Sequence, residues 1–395
     1  MISLQKTDLT PFTQRFRGFR GFRAFAALVA VTVLLTLTRP VGAQDNAAVP
    51  QIQPETGLPA LGDEPAGFAA ELKRKKQLRV RQSVSGIACA LNAKQQRVCL
   101  LAFDEGTQGY FARLDGAVLT PVGKPVTLIS GDGELDAEAA ATDGRYFYVL
   151  GSHSPRRSDC SARPESRHVV RFARDPETGR ALKPGVVTRA INTVMGESAP
   201  AGFADSTRLW AIMQAQPALA PFVAKGQCMG DNGAVNLEGM AVQGGRLYFG
   251  FRGPAVAGAA TVLSVDTDAL FDPTGRADAK AVVSTVALGA HTGIRDMVAV
   301  TGGFLLLAGP DDERASQKAV DFSVWFWDGR SAGTQRLPAR PLATLDVQRV
   351  ALRSCDDELK PEAITVLRET ARSFEVLVLS DGLCDGGPMR FVLPR

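Results

Sequence analysis

A short pattern recurs five times along the chain and constrains the fold more than any other feature of the sequence. Each copy places one polar or charged residue at the start of a β-rich segment, and a turn and a second β-rich segment follow it. In register, these residues are Ser85, Glu138, Glu238, Arg295 and Glu362. Repetition with a period of about fifty residues is typical of a β-propeller, in which each sheet buries its faces against its neighbours.

The spacing of the copies predicts the number of blades. Successive copies are 53, 100, 57 and 67 residues apart, and we interpret the interval of 100 as two repeats, the second of them degenerate and near Trp210. The sequence therefore predicts an all-β fold, a β-propeller of six blades, each a four-stranded antiparallel sheet; five or seven blades fit the length less well. The predicted strands include Val98–Phe103, Arg145–Leu150, Arg208–Met213, Arg246–Phe251, Phe304–Ala308, Phe322–Trp327 and Phe374–Leu379.

The N-terminal segment has the features of an export signal. Four arginines between Arg15 and Arg23 precede an uncharged apolar run from Ala24 to Thr38, and Val41-Gly42-Ala43 resembles a cleavage site. The alternative is a membrane anchor, but such a run covers only ~22 Å as a helix, against ~30 Å for the hydrocarbon core. We therefore expect residues 1–43 to be a cleaved signal peptide and the protein to be periplasmic or secreted, with no transmembrane span after signal removal.

The mature chain differs from the precursor in charge and consists of a linker and one domain. The whole chain has a net charge of +4, and residues 1–43 contribute +5 from six cations and one acid, so the mature chain carries −1. Nothing in this balance indicates nucleic acid as a partner. Residues 44–77 are interpreted as a flexible linker because Pro, Ala and Gly are frequent there, and residues 78–395 as the propeller domain.

Six cysteines follow the predicted cleavage site, in a compartment where disulfides persist. Their spacing matches no zinc motif. Cys89 and Cys99 flank a turn between antiparallel strands, where β-carbons approach closely enough to form a bridge. The other four fall in loops on one side of the predicted ring, two of them within one repeat. We therefore predict the bonds Cys89–Cys99, Cys160–Cys228 and Cys355–Cys384.

Propeller geometry places the recurring residues at one end of the central channel. The first strand of each blade lines the channel and the second returns antiparallel beside it, so the start of one and the end of the other lie at the same mouth. The sequence predicts a ligand site there from ring residues, second-strand ends and residues close to the first strands. Its members are Glu138, Glu238, Arg295, Glu362, His153, Arg252, His291 and Asp381.

The glutamates of this ring have one structural and two functional interpretations. Glu138, Glu238 and Glu362 could neutralise the arginines and order the channel wall. They could equally bind a polar ligand. As three inward carboxylates they could also hold a hard cation such as Ca²⁺, which takes about six to eight oxygen ligands. Arg295 in the same ring disfavours a close-packed cation site, and no other cofactor is indicated.

Five short motifs lie in order between Ser85 and Asp381. They are Gly151-Ser152-His153-Ser154, Asn236-Leu237-Glu238-Gly239, Gly250-Phe251-Arg252-Gly253-Pro254, Gly293-Ile294-Arg295-Asp296 and Leu307-Ala308-Gly309-Pro310. They resemble the motifs of an uncharacterised bacterial family of unknown function that is regarded as propeller-like. A looser resemblance is to the exported propellers with esterase-like activity of phytase, whose repeated Glu-Gly strand starts this chain lacks at Ala139, Arg295 and Ala363. The resemblance implies a fold and a site position, without an activity.

Two classes of function fit the sequence. In the first, an exported binding or scaffold module holds a polar or anionic small molecule, or a protein segment, at the charged mouth. In the second, a metal-assisted hydrolase acts on ester bonds at the same site, as a phosphoesterase, esterase or lactonase. Arg252 and Arg295 would then bind the anionic group. His153 or His291 would transfer protons, and Glu238 would act as base or metal ligand. No nucleophile motif is recognisable, which favours binding and leaves open whether the protein is an enzyme.

Overall fold

Five β-sheets surround a central channel in the computed structural model of the protein. The structure describes residues 48–61, 67–131, 133–183, 201–223, 226–230, 233–313, 320–330 and 336–395. These residues belong to one compact unit, Ala48–Arg395. The predicted signal peptide, residues 1–43, lies outside the described residues.

Each sheet is built mainly from strands that follow one another along the chain, and two sheets gain a strand from elsewhere. The first blade contains β2 (Val84–Leu91), β3 (Arg97–Phe103), β4 (Gln108–Asp115) and β5 (Val118–Pro121), with β6 (Val126–Thr127) on β4. The second contains β7 (Ala137–Thr142), β8 (Tyr146–Gly151), β9 (Val169–Ala173) and β10 (Ala204–Ser206). The third contains β11 (Asn236–Gln243), β12 (Arg246–Gly253), β13 (Ala259–Asp266), β14 (Val282–Ala287) and β18 (Arg336–Pro338). The fourth contains β15 (Thr292–Val300), β16 (Gly303–Pro310), β17 (Ser323–Trp327), β19 (Arg340–Leu345) and β1 (Gln51–Ile52), and the fifth contains β20 (Lys360–Glu369), β21 (Ser373–Asp381) and β22 (Met389–Pro394). The helices are α1 (Arg74–Arg81), α2 (Arg208–Gln214) and α3 (Thr267–Leu270).

The innermost strands of the five sheets form a closed ring. Strand β2 contacts β7, β7 contacts β11, β11 contacts β15, β15 contacts β20, and β20 contacts β2. The fold is therefore a β-propeller, as predicted, but the described residues form five blades and not six. Because β7 and β11 contact each other directly, no further blade lies between Glu138 and Glu238.

The hydrophobic core is divided among the contacts between blades. Five clusters of buried side chains are present, one between each pair of neighbouring sheets. In β3, Val98 and Leu100 lie in the cluster shared with the second blade, whereas Cys99 and Leu101 lie in the cluster shared with the fifth. Alternate side chains of a strand point to opposite faces, so both faces of this blade are buried. This burial of both faces explains the apolar runs from which the strands were predicted.

A helix occupies the position where the sequence predicted a strand near Trp210. The predicted strand Arg208–Met213 is instead α2, in which Leu209 and Met213 are four residues apart and both buried between the second and third blades. A short apolar run fits a helix as well as a strand, which is why the degenerate repeat was wrongly placed here. Within the described ranges, neither this helix nor any other has the length and apolar character needed to cross a membrane.

Part of the segment interpreted as a flexible linker, residues 44–77, is packed against the propeller instead. Strand β1 pairs in parallel with β19, and the Glu55 amide donates to the Arg390 carbonyl of the fifth blade at 2.8 Å. Phe68 is 1% exposed and lies in the core between the first and fifth blades. The apolar side chains of this segment therefore find buried positions on the ring, and the compact unit begins well before residue 78.

This N-terminal segment covers the seam, which we define as the contact between the fifth and first blades. Arg81, at the end of α1, donates from Nε and Nη2 to the two carboxylate oxygens of Asp385, at 2.9 and 2.7 Å. The Arg81 side chain is 3% exposed, and a two-point arginine–carboxylate pair is among the stronger polar contacts. The seam joins the first and last sheets of the chain through non-covalent contacts of this kind.

The three predicted disulfides are the three that the structure contains, and no described cysteine is free. Cys89 and Cys99 face each other directly in the β2–β3 pair, with Cα atoms 4.0 Å apart. Cys160–Cys228 joins the loop after β8 to the segment before β11. Cys355–Cys384 lies within the last repeat. The predicted pairing is therefore confirmed.

Replacement of Phe68 tests the contribution of the seam to stability. Its ring packs edge-to-face against Phe103 and Tyr110, with ring centroids 5.5 and 6.0 Å apart. We expect Phe68→Ala to lower the free energy of unfolding by about 3–5 kcal/mol, because the change leaves a cavity in a closed core. Denaturant titration measures this difference. Leu78→Ala, on the exposed side of α1, is the control and should cost less than about 1 kcal/mol; equal losses in both variants would contradict the assignment.

Candidate functional site

One residue near the start of each inner strand lies outside the regular pairing with the second strand. The register passes over Ser85, Glu138, Glu238, Arg295 and Glu362. These are the five residues that share a position in the sequence repeat. An extra residue of this kind is a β-bulge, which re-aims a side chain and is frequent beside functional sites. The same irregularity, repeated in five blades, forms a ring of side chains at one end of the channel.

The residue after each bulge packs against the neighbouring inner strand. A β-carbon on Gly86 would lie 2.6 Å from the Ala140 nitrogen, and one on Gly239 would lie 2.9 Å from Cγ2 of Ile294. Ala139 and Ala363 occupy this position in the second and fifth blades and are fully buried. Four of the five blades therefore carry glycine or alanine where the inner strands approach most closely.

The fourth blade has Asp296 at this position, with a structural role that sequence analysis did not recognise. Its Oδ2 accepts a hydrogen bond from the Ile364 amide at 2.8 Å, and its Oδ1 accepts one from the Met297 amide at 2.7 Å. Burial raises the pKa of this carboxyl well above its usual range, and the amide donors oppose that shift. Asp296 thus connects the inner strands of the fourth and fifth blades.

A buried ion-pair network crosses the channel mouth. Glu238 Oε1 accepts from Arg252 Nη1 at 3.0 Å, and its Oε2 lies 3.0 Å from Arg295 Nε in an ion pair without hydrogen-bond alignment. Arg295 also pairs with Glu362, whose second oxygen accepts from Ser85 Oγ at 3.4 Å. None of the four charged side chains is more than 10% exposed. Two of the three ring glutamates therefore neutralise arginines.

A cavity of about 630 Å³ opens at this mouth, and its charged lining forms two walls. The acid wall, from the fifth, first and second blades, consists of Asp104, Asp136, Glu138, Glu362 and Asp381. The arginine wall, from the third blade and the loop after β8, consists of Arg156, Arg157, Arg163 and Arg252. The walls meet where Arg163 Nη1 lies 2.9 Å from Asp136 Oδ2. The other two charged lining residues, Glu238 of the third blade and Lys360 of the fifth, have the opposite sign to their walls, so the cavity is partly polarised from one side to the other.

Glu138 lacks a partner for its carboxyl group. It makes no hydrogen bond or ion pair with any residue that the structure describes. Burial raises its pKa well above the usual range, and neighbouring carboxylates, Glu238 first, raise it further. Asp104 is similar, because burial and nearby acids raise its pKa and its Oδ1 has no hydrogen-bond partner among the described residues. The surroundings of both acids favour the neutral form.

The other two ring glutamates titrate differently from Glu138. Burial would raise the pKa of Glu238, but Arg252 and Arg295 outweigh it and the pKa is lowered. Burial raises the pKa of Glu362 to about 7, against the opposing effect of Arg295. Neighbouring inner strands therefore present an ionised carboxylate, Glu238, and a carboxyl that favours its proton, Glu138.

The two histidines predicted as proton-transfer groups are not among the residues that line this cavity. His153 is fully buried with φ of 56°, its Nδ1 donates to the Gly151 carbonyl at 2.8 Å, and its Nε2 has no partner among the described residues. Burial lowers the pKa of His153 to about 4. The His291 side chain is 51% exposed and its Nδ1 lies 3.0 Å from Glu313 Oε2. The acidic groups of the cavity are therefore its available proton donors.

The three glutamates predicted to hold a calcium ion do not bring their oxygens together as a ligand set. Among the described residues, the trios of potential ligand atoms within 4.8 Å of one another are Cys355, Asp356 and Cys384, and His291, Asp311 and Glu313. The first trio contains a disulfide. Since Glu238 and Glu362 contact arginines instead, calcium binding by the ring stays a prediction without a geometric counterpart.

Several residues that complete the cavity were not predicted. They are Arg156, Arg157, Arg163, Lys360 and Asn236, which line it, and Asp312, which lies beside the lining residue Arg252. Asp312 accepts from Asn236 Nδ2 at 3.3 Å and lies 3.3 Å from Arg252 Nε and 3.5 Å from Arg157 Nη2. One feature of the sequence could have indicated Arg156 and Arg157 as site residues. They are adjacent and begin three residues after the second-strand end at His153. Lys360 Nζ lies 3.5 Å from the predicted site residue Asp381.

Together, the closed ring of sheets and the bulged strand starts define a five-bladed β-propeller with a charged channel mouth. A family described as "Protein of unknown function (DUF3616)" matches residues 112–386, and the chain belongs to this family. The predicted resemblance to an uncharacterised family is thereby confirmed, whereas the looser resemblance to phytase-like propellers stays a prediction. No curated protein matches the sequence.

Solved structures show a distant likeness. A GH43 β-1,3-galactosidase with galactodeoxynojirimycin has a TM-score of 0.39 and 10% identity, covering 79% of this chain and 90% of that chain. A mannose phosphorylase from Leishmania mexicana in complex with phosphate has a TM-score of 0.33 and 12% identity, covering 79% of this chain and 83% of that chain. An α-L-arabinanase from Penicillium chrysogenum with arabinobiose has a TM-score of 0.32 and 8% identity, covering 80% of this chain and 93% of that chain. Likeness at this level carries no argument about function, and the fold assignment rests on the sheet topology.

Glu138→Gln tests the uncompensated carboxyl. A carboxyl whose pKa is raised by folding keeps its proton while the unfolded chain ionises, so stability falls as the pH rises above the unfolded value of 4.5. We expect the variant to match the wild type near that pH and to exceed its free energy of unfolding by about 1 kcal/mol or more near pH 8. Urea titrations across this range measure the difference. The exposed Glu177→Gln is the matched control, and a Glu138 variant that is less stable at every pH would refute the assignment.

Glu238→Gln tests the ion-pair network. The change removes the charge that compensates Arg252 and Arg295, both at most 10% exposed. Arg252 keeps Asp312 and Arg295 keeps Glu362 as partners, but loss of the carboxylate that the two arginines share should still lower the free energy of unfolding by about 2–3 kcal/mol at pH 7. Asp115→Asn removes the partner of Arg113 in an exposed pair and should cost at most about 1 kcal/mol. Denaturant titration compares the two, and similar small effects would show that the network is not a stabilising unit.

Proposed function

We propose that the protein is an exported binding module that holds a small polar ligand at the mouth of its central channel. The observation that carries the proposal is the polarised cavity, in which an acid wall with an unpartnered Glu138 faces an arginine wall. Its volume of about 630 Å³ lies in the range usual for small-molecule sites. Buried polar groups without partners are costly, and a ligand that supplies hydrogen-bond donors offsets that cost.

The two walls favour different chemical groups at the two ends of the ligand. Glu138 and Asp104 accept from hydroxyl or ammonium groups, and in their neutral forms they also donate. Arg156 and Arg157, both exposed at the cavity, suit a carboxylate or phosphate group. We therefore infer a ligand with donor groups at one end and an anionic group at the other.

Export is part of the proposal. Three disulfides and no free cysteine among the described residues are typical of proteins in oxidising compartments. The N-terminal pattern of residues 1–43 supports removal of a signal peptide. We infer a periplasmic or secreted location.

Four related probes test the proposed ligand class. D-Glucosamine 6-phosphate carries an ammonium group, hydroxyls and a phosphate, whereas glucosamine, glucose 6-phosphate and inorganic phosphate each lack at least one of these parts. We expect the complete probe to bind most tightly in isothermal titration calorimetry. Glu138→Gln should weaken the ammonium-bearing probes about tenfold, and Arg157→Gln the phosphate-bearing ones to a similar degree.

Glu177→Gln, which lies outside the cavity lining, is the control and should bind all four probes as the wild type does. Binding that neither cavity variant alters would place the ligand elsewhere. Absence of binding by every probe would reject the inferred ligand class.

A hydrolase that uses the same cavity is the second candidate. The observation that favours it is the opposite shift in the pKa of Glu138, raised, and of Glu238, lowered. Such a pair supplies a general acid and an ionised carboxylate at one site. Because Glu238 is held by two arginines, its role would be electrostatic, while Glu138 would protonate the leaving group.

Release of p-nitrophenol from phosphate, acetate and glycoside substrates tests this candidate, with a lactone assayed in parallel. Turnover that persists in Glu177→Gln and falls at least about a hundredfold in Glu138→Gln would support it. Loss of turnover with a chelator and recovery with Ca²⁺ would support the metal-assisted version. Turnover that Glu138→Gln leaves unchanged would exclude this site as its source.

A further inference from the structure

A second cavity, of about 400 Å³, lies on the other side of the loop that follows β8. Arg156 and Arg157 of this loop line the channel mouth, whereas Pro155 and Cys160 line the second cavity. Its remaining walls come from α2 and from the segment before β11. No described residue lines both cavities, so the loop, held by the Cys160–Cys228 bond, separates two distinct sites.

The described residues that line the second cavity are apolar apart from one cation and a few neutral polar groups. Trp210, Phe222 and Val223 supply much of the apolar surface, and Arg167 is the one charged residue among the described lining residues. The central carbon of the Arg167 guanidinium lies 3.5 Å from the centroid of the Trp210 ring. This stacking holds the cation against the aromatic wall.

Arg167 has no counter-ion among the residues that the structure describes. Its guanidinium makes no hydrogen bond or ion pair with them, and its Nε is buried without a partner. Burial lowers the pKa of this group. Arg171 offers a comparison, because it also stacks on a ring, 4.5 Å from the Phe271 centroid, yet lies 3.7 Å from the Asp268 carboxylate. A partly desolvated cation without an anion is a position that a ligand anion can satisfy.

We propose that the second cavity binds a small amphipathic anion, a carboxylate with an aromatic or short acyl body. The body contacts Trp210 and Phe222, and the carboxylate accepts hydrogen bonds from Arg167. The volume is near the lower end of the range for ligand pockets and suits a body of about one ring. Since this chemistry differs from that of the polar channel mouth, the proposal does not depend on the proposed function.

Two probes that share a body and differ in charge test the proposal, 4-phenylbutyrate and 4-phenylbutanol. Fluorescence reports binding because Trp210 lines the cavity, whereas Trp325 and Trp327 lie in β17. We expect saturable quenching by the carboxylate, with an affinity at least about tenfold higher than that of the alcohol. Equal affinities, or no saturation by either probe, would overturn the proposal.

Variants locate the binding. Arg167→Met keeps the length of the side chain and removes the charge, so it should abolish the preference for the carboxylate. Arg171→Met, the matched stacked arginine, and Arg157→Gln, at the channel mouth, should retain the preference. A preference that survives in Arg167→Met, or that disappears in Arg157→Gln, would assign the carboxylate to another position. If Arg167→Met does not fold, judged by circular dichroism, the comparison of the two probes on the wild type decides.

Discussion

The skipped register at the start of each inner strand is the constraint on which the site depends. Without it, alternation along the strand would direct these side chains toward the apolar cores between blades, where a charge is costly. The bulge releases them to the channel, where Glu238, Arg295 and Glu362 compensate one another. In four of the five blades, glycine or alanine at the next position lets the strands close around them. A single local irregularity, repeated five times, thus converts a structural repeat into a ring of polar and charged side chains at the channel mouth.

The charges of Glu238, Arg295 and Glu362 in the ring are compensated by one another, whereas the Glu138 carboxyl is not compensated by any described residue. Buried ion pairs contribute little net stability, because desolvation offsets their attraction. The pairs around Glu238 therefore organise the mouth at low net cost. Glu138 and Asp104 have no such compensation among the described residues, and folding holds them in a state that favours a proton. Uncompensated groups that persist in a cavity are the better candidates for ligand contact.

The propeller, the ring positions and the three disulfides could be predicted because each depends on a periodic or local pattern. The apolar run of β3, which is buried on both faces, and the short interval between Cys89 and Cys99 are visible in sequence. The blade number was wrong because the long interval between Glu138 and Glu238 contains α2 and, among the described residues, no sixth sheet. Of the arginine wall only Arg252 could be predicted, since Arg156 and Arg157 reach the cavity through the path of a loop that no period encodes.

The acid wall crosses the seam between the fifth and first blades. Asp104 belongs to the first blade, whereas Glu362 and Asp381 belong to the fifth. Elsewhere around the circle, neighbouring sheets are successive in the chain. A ligand of the proposed kind at the acid wall would therefore contact both the first and the last sheet of the chain. Binding there would add stability to this junction in particular, because a ligand that favours the closed ring raises the free energy needed to open it.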